Sequence, residues 1–239
     1  MADQRDELIR EVDEELRRER LQKLWDQYGI YAIGVAVLFV ASIAGYKVWE
    51  SRAIAAAEQA GQRYEAAARL AAQGKPADAL EAFSALAKDA PAGYEALARL
   101  RAAGAASKAG KTSETVVMYE ALAADTGIDP LFRDFAKLQA AALKIETADW
   151  TEMQNRLNDL VRDGNPWRYS ARELLGLAAY KAGKSKEARE ALEPLAADRR
   201  VPAAIAGRVR ILMDLVVAAE RSAGREPAKS DNGQAAKKD

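Results

Sequence analysis

The sequence predicts an all-α chain, with one N-terminal membrane-spanning helix followed by a stack of paired helices. Three observations carry that expectation. The first is Gln27–Tyr46, QYGIYAIGVAVLFVASIAGY, an uncharged run in a chain whose residues are 30% charged. The second is composition: alanine is abundant, aromatics make up 7%, and 239 residues hold only 15 Gly and 7 Pro, a balance that favours helices with small-residue contacts. The third is a short segment that recurs at intervals of 36, 38 and 35 residues.

The apolar run comes first in the chain. At about 1.5 Å per residue it extends roughly 30 Å, the thickness of a bilayer hydrocarbon core. Trp25, Tyr28 and Tyr31 stand at one end, with Tyr46 and Trp49 at the other, where amphipathic rings settle at headgroup level. A buried core helix is the competing reading, but such helices seldom lack polar residues over this length. The preceding segment is long and of mixed charge, unlike the short basic start of a signal peptide, so a permanent anchor is expected. Six basic residues (Arg5, Arg10, Arg17, Arg18, Arg20, Lys23) precede it, against three (Lys47, Arg52, Arg63) in the twenty that follow. The excess predicts a cytoplasmic N-terminus and places the larger part of the chain on the far side.

Residues 1–26 are expected to form a charged helical stub. Leu8, Ile9, Val12, Leu16, Leu21 and Leu24 recur at three- and four-residue intervals among Arg and Glu. A contact helix and a solvated extension of the anchor both fit that pattern.

Residues 47–222 carry the repeat. GKPADALEAFSALAKDAP from Gly74, GKTSETVVMYEALAADTG from Gly110 and GKSKEAREALEPLAADRR from Gly183 share a Gly-Lys turn. Apolar positions follow five, nine and twelve residues later: Ala79, Phe83 and Leu86; Thr115, Tyr119 and Leu122; Ala188, Leu192 and Leu195. A degenerate copy from Ala148 offers Met153, Leu157 and Leu160. Each glycine is expected to end a helix in the left-handed conformation, with the lysine beside it favouring the negative helix end. Pro91, Pro130, Pro166 and Pro202 mark boundaries between units.

Apolar helices are predicted before the turns, over Tyr64–Ala72, Leu97–Ala109, Leu131–Ile145 and Ala171–Ala182. Within the last of them, Gly176 permits close approach of two backbones. A final helix, Pro202–Glu220, should cap the stack. The polar residues 223–239 read as a disordered tail.

This period is that of stacked helix-turn-helix units. The offsets from Gly74 to Ala79, Phe83 and Pro91 resemble the turn glycine, small residue, aromatic and terminal proline of the tetratricopeptide repeat. The other copies depart from it: Thr115 replaces the alanine, Leu192 the aromatic, and no tryptophan opens the first helix. The implied fold is a tetratricopeptide-repeat-like α-solenoid.

The full layout runs from a charged stub through an anchor ending GYKVWESR and a GK turn to APAGYEALARLRAA and DPLFRDFAKLQAAAL. It is similar to the bacterial family of ancillary Sec translocon subunits, single-pass inner-membrane proteins with a periplasmic repeat domain. That resemblance covers roughly residues 20–220. It implies a position beside the translocation channel, with Sec components and a membrane-bound periplasmic chaperone as partners during export.

Candidate contacts lie on the first helix of each unit, where repeat packing leaves side chains free. They are Tyr64, Leu100, Lys108, Tyr180 and Lys181, a mixture suited to an extended peptide or a partner helix. Tyr64 and Tyr180 also fit plain packing between helices.

Other chemistry finds little support. With no cysteine and no histidine, disulfides, thiolate nucleophiles and His-based triads are excluded. The 36 basic and 36 acidic residues balance, against the clustered positive charge that nucleic acid requires. Carboxylate pairs such as Glu14-Glu15 fall on solvated faces, and Gly110-Lys111-Thr112 lacks the P-loop's earlier glycine, since Ala105 stands there. No enzyme, cofactor, metal or small-molecule substrate is expected. The lipid bilayer is a partner through residues 27–46. A scaffold for envelope assembly or cell division shares the same fold and anchor and stands as the alternative.

Overall fold

A computed structural model of the chain describes residues 3–223, and every regular element among the described residues is an α-helix. In chain order these are α1 (Asp3–Ala72), α2 (Pro76–Asp89), α3 (Ala92–Lys108), α4 (Thr112–Ala124) and α5 (Pro130–Leu143). They are followed by α6 (Trp150–Leu157), α7 (Arg168–Lys181), α8 (Ser185–Ala197) and α9 (Ala203–Ala223). The chain divides into two compact units, Met1–Gln59 and Ala60–Asp239. Apart from Ala223, which closes α9, the expected tail lies outside the described residues.

In the first unit the described residues form the earlier part of α1. No proline precedes Pro76, so no residue removes a backbone donor along this length. The helix bounds Asp3–Ala72 take in the predicted apolar run and the first predicted repeat helix. Large apolar side chains from Leu24 to Trp49 stand exposed on it. The helix is long and apolar enough to cross a membrane.

The second unit is built from helix pairs, and its turns explain the pairing. Gly74, Gly110 and Gly183 have φ of 73°, 78° and 70°, the left-handed region in which a Cβ is strained. Two bonds close each turn. The N–H of Lys75 donates to the Leu70 carbonyl at 3.1 Å and that of Gly74 to Ala71 at 3.3 Å. Lys111 to Ala106 and Gly110 to Ser107 repeat the arrangement, as do Lys184 to Ala179 and Gly183 to Tyr180. The last carbonyls of the ending helix are thereby satisfied.

Two of the three turn lysines reach forward. Lys111 Nζ reaches forward to Glu114 at 3.1 Å and Lys184 Nζ to Glu187 at 3.5 Å. Each of these lysines is the N-cap of the next helix, which brings its ammonium within reach of that helix's first-turn carboxylate. At α5 and α6 the caps are side chains: Asp129 accepts from the Leu131 N–H and Asp149 from that of Glu152, each at 2.8 Å. With Pro91 as its N-cap, α3 starts at Ala92, ahead of the apolar stretch by which it was predicted.

The twelve residues at offsets five, nine and twelve are all buried. They fill the seams between successive helices; Ala79 and Phe83 meet Ala67 of α1 and Ala102 of α3, while Leu192 and Leu195 meet Val209 and Val216 of α9. Thr115 is tolerated there because its hydroxyl donates to the Lys111 carbonyl at 2.8 Å. At Gly176 a Cβ would lie 2.5 Å from two Leu192 carbons, the close approach expected of this glycine.

A fourth repeated position joins these. An aspartate stands fifteen residues after each start: Asp89, Asp125, Asp163 and Asp198. Each is held by a first helix of some pair. Arg63 donates to Asp89 at 3.0 Å, Arg99 to Asp125 at 2.6 Å, Arg172 to Asp163 at 2.9 Å, and the Tyr169 hydroxyl to Asp198 at 3.0 Å. The bond from Arg99, helped by the Gly127 N–H, holds the Asp125 carboxyl below its ordinary 3.8. Asp198 is lowered further, chiefly by Arg200.

Two outcomes are expected. Gly176→Ala should destabilise the fold by about 1–3 kcal/mol through overpacking, measured by thermal melting of the detergent-solubilised chain, with Leu192→Ala partly compensating. Carboxyls lowered in the native state contribute stability that is complete above their ordinary pKa and lost as pH falls through the depressed value. The melting temperature should therefore be flat near neutrality and fall once pH drops below 3.8. Asp125→Asn should flatten that fall.

Candidate protein-binding groove

Helix packing determines which faces remain open in the second unit. The portion of α1 after Ala60, together with α3 and α5, provides the first helix of successive pairs, and a groove of about 480 Å³ lies along them. Side chains three or four residues apart share a helix face. Leu97, Leu100, Arg101, Gly104 and Lys108 of α3 accordingly turn into it together. Ala68 and Ala71 of α1, with Gly104 and Ala105, keep its floor low, and Tyr64, Phe83, Tyr119 and Phe135 form aromatic walls.

These walls are held in place. The Tyr64 ring meets Phe83 nearly edge-on, centroids 5.3 Å apart at 64°, and lies 6.2 Å from Tyr94. Its hydroxyl accepts from Arg101 Nε at 2.9 Å, which orients the guanidinium. Phe135 packs 5.0 Å from Trp167, whose Nε1 donates to the Leu131 carbonyl at 3.1 Å. Burial pushes the Tyr119 hydroxyl above its ordinary value, so the ring stays neutral.

Arg101 and Lys108 put two cations on the lining, and no carboxylate joins them there. Lys108 is exposed in the last turn of α3 and forms no ion pair among the described residues. An apolar side chain of Leu or Phe size would gain about 1.5–3 kcal/mol on full burial here. The cations contribute orientation and approach rate more than affinity. The lining contains no nucleophile paired with a base, and among the described residues no cluster of three His, Cys, Asp or Glu could hold a metal.

Three of the five residues chosen from the sequence, Tyr64, Leu100 and Lys108, meet in this groove. Tyr180 and Lys181 lie elsewhere. Tyr180 is half-buried against the α8 and α9 seam, and Lys181 forms an ion pair with Glu146 beyond the end of α5. A second, smaller concavity of about 300 Å³ runs between α5 and α7, floored by Leu138, Leu174 and Leu177. Its Glu173 is bound by Arg208 of α9 at 2.8 Å.

Arg101, Gly104 and Phe135 escaped the sequence reading. Gly104 and Lys108 stand four and eight residues after Leu100, a spacing that marks the α3 face, and Arg101 stands four before Ala105 on the same face. Phe135 had no such signal, since its exposure depends on how α5 meets α3.

The family model of a tetratricopeptide repeat-like domain matches residues 22–204, most of the chain. No curated protein and no solved structure matches.

Proposed function

Because the chain belongs to the tetratricopeptide repeat-like domain family, we propose that it is a non-enzymatic, membrane-anchored interaction scaffold, ancillary to the Sec translocon and linking it to periplasmic chaperones during export. The observation that carries this reading is the α3 groove. It offers low, apolar ground between aromatic walls, with Arg101 and Lys108 free of any carboxylate on the lining. Such a surface suits a peptide or partner helix that presents apolar side chains beside acidic ones. Tyr64, Leu100 and Lys108 make that contact, while Tyr180 and Lys181 extend recognition to a second point on α7.

The domain assignment is part of the same proposal. Residues 1–26 form a cytoplasmic stub, 27–46 cross the inner membrane, and 47–222 form the periplasmic repeat domain. Support comes from the exposed apolar side chains between Leu24 and Trp49 and from the excess of basic residues before the run.

Two experiments test it. A photo-crosslinker replacing Leu100 in the full-length chain should capture a Sec channel subunit or a membrane-bound periplasmic chaperone in intact cells. Combining Arg101→Glu with Lys108→Glu should lower that yield about tenfold, equivalent to roughly 1.4 kcal/mol. Capture of envelope-assembly or division proteins alone would transfer the reading to the alternative scaffold. The chain should also stay with membranes through alkaline carbonate, and a reporter fused after Glu220 should be active on the periplasmic side. Release by carbonate would remove the anchor.

A further inference from the structure

The last described helix has two apolar faces, although a cap needs only one. Ile205, Val209, Leu212 and Val216 of α9 are buried against α7 and α8. On the opposite side Ile211 is 64% exposed and Leu215 45% exposed. Ala204, Gly207 and Ala218 continue that stripe at three- and four-residue intervals, all exposed. A terminal helix that only closed a solenoid would present a polar outer face. The stretch 224–239 contains no Val, Leu, Ile, Met, Phe, Tyr or Trp with which to cover Ile211 and Leu215.

The stripe is complementary to itself. Gly207 and Leu215 stand equally far on either side of Ile211, and so do Ala204 and Ala218. When two such helices cross antiparallel over Ile211, each Leu215 meets the other's Gly207, where a Cβ would find nothing within 4 Å. Large then faces small at both ends, the alternation that close helix packing requires. Charge agrees with this pairing. Arg210 and Asp214 lie on one flank of the stripe, both exposed, and neither enters an ion pair among the described residues. In an antiparallel pair that flank faces its own copy in reverse, bringing each Arg210 within an arginine's reach of the other Asp214. The other flank is already satisfied, since Arg208 is bound by Glu173.

We infer that α9 is a homotypic docking surface, joining two copies of the chain through an antiparallel contact centred on Ile211. The contact is isologous, as a two-fold pair must be. One helix pair covers less than the roughly 800 Å² per partner of a standard interface, so its strength depends on holding both copies in one membrane. That last step rests on the membrane reading above.

The natural absence of cysteine makes the test direct. In native membranes oxidised with copper phenanthroline, full-length Ile211→Cys should form a disulfide-linked dimer. The yield should be at least about fivefold above that of Glu190→Cys, an exposed position on α8. Gly207→Cys and Leu215→Cys should crosslink when the two proteins are mixed in one membrane, and much less when each is alone. Arg210→Asp and Asp214→Arg should each lower the Ile211→Cys yield about fivefold, and both together in one chain should restore it.

Equal yields at Ile211→Cys and Glu190→Cys would overturn the proposal. So would crosslinking that appears only after removal of residues 224–239, which would make that segment the occupant, or a double variant no better than the single ones. Carbonate release combined with strong Ile211→Cys crosslinking would overturn the anchor and leave the α9 contact standing.

Discussion

Reversal of the chain at a left-handed glycine is the constraint on which the rest of this structure depends. At Gly74, Gly110 and Gly183 the backbone adopts positive φ, a conformation that glycine takes without strain because it carries no Cβ. Paired bonds to the ending helix satisfy carbonyls that would otherwise be left without partners. The following lysine already begins the next helix, so no linker intervenes. Each pair is therefore tight, and its two helices share a seam narrow enough for alanine, leucine and one aromatic ring to fill.

The groove follows from that tightness. Residues at offsets five and twelve are consumed by the seams, and of those at offset nine only Phe83 and Tyr119 also show an edge to the groove. The floor belongs to the first helices, where small residues at Ala68, Ala71, Gly104 and Ala105 leave space that Tyr64 of α1 and Tyr119 of α4 border. Aspartates at the ends of the second helices tie the pairs together through Arg63, Arg99 and Tyr169. The Arg63 tie is solvent-exposed and the other two are only part-buried, so they set register more than they add stability. Arg101 is positioned differently, by the Tyr64 hydroxyl, and keeps its charge available to the groove.

The same logic distinguishes α9. It closes the stack with one face, yet its outer stripe carries Ile211 and Leu215, which packing within the chain does not use. The groove and the stripe thus differ in kind. One is a concave surface assembled from five helices, and the other is a single convex helix complementary to itself.

Much of this was legible from the residues in order. The uncharged run, the glycine turns, the buried triads and the tight contact at Gly176 follow from local chemistry repeated at a fixed period. Period alone specifies which face of a helix is buried. It does not specify which neighbour covers it. Tyr64, Leu100 and Lys108 meet because α1 and α3 are adjacent, whereas Tyr180 and Lys181, at comparable places in a later pair, are drawn to α8, α9 and Glu146. The aspartates stood at a constant offset in the sequence, but their partners lie 26 residues away in two pairs and elsewhere in the others. Phe135 entered the groove, and Lys111 and Lys184 turned forward, for one reason: side-chain contacts depend on the spacing and angle between whole helices. Those are properties of the assembled stack, and no single turn of the chain contains them.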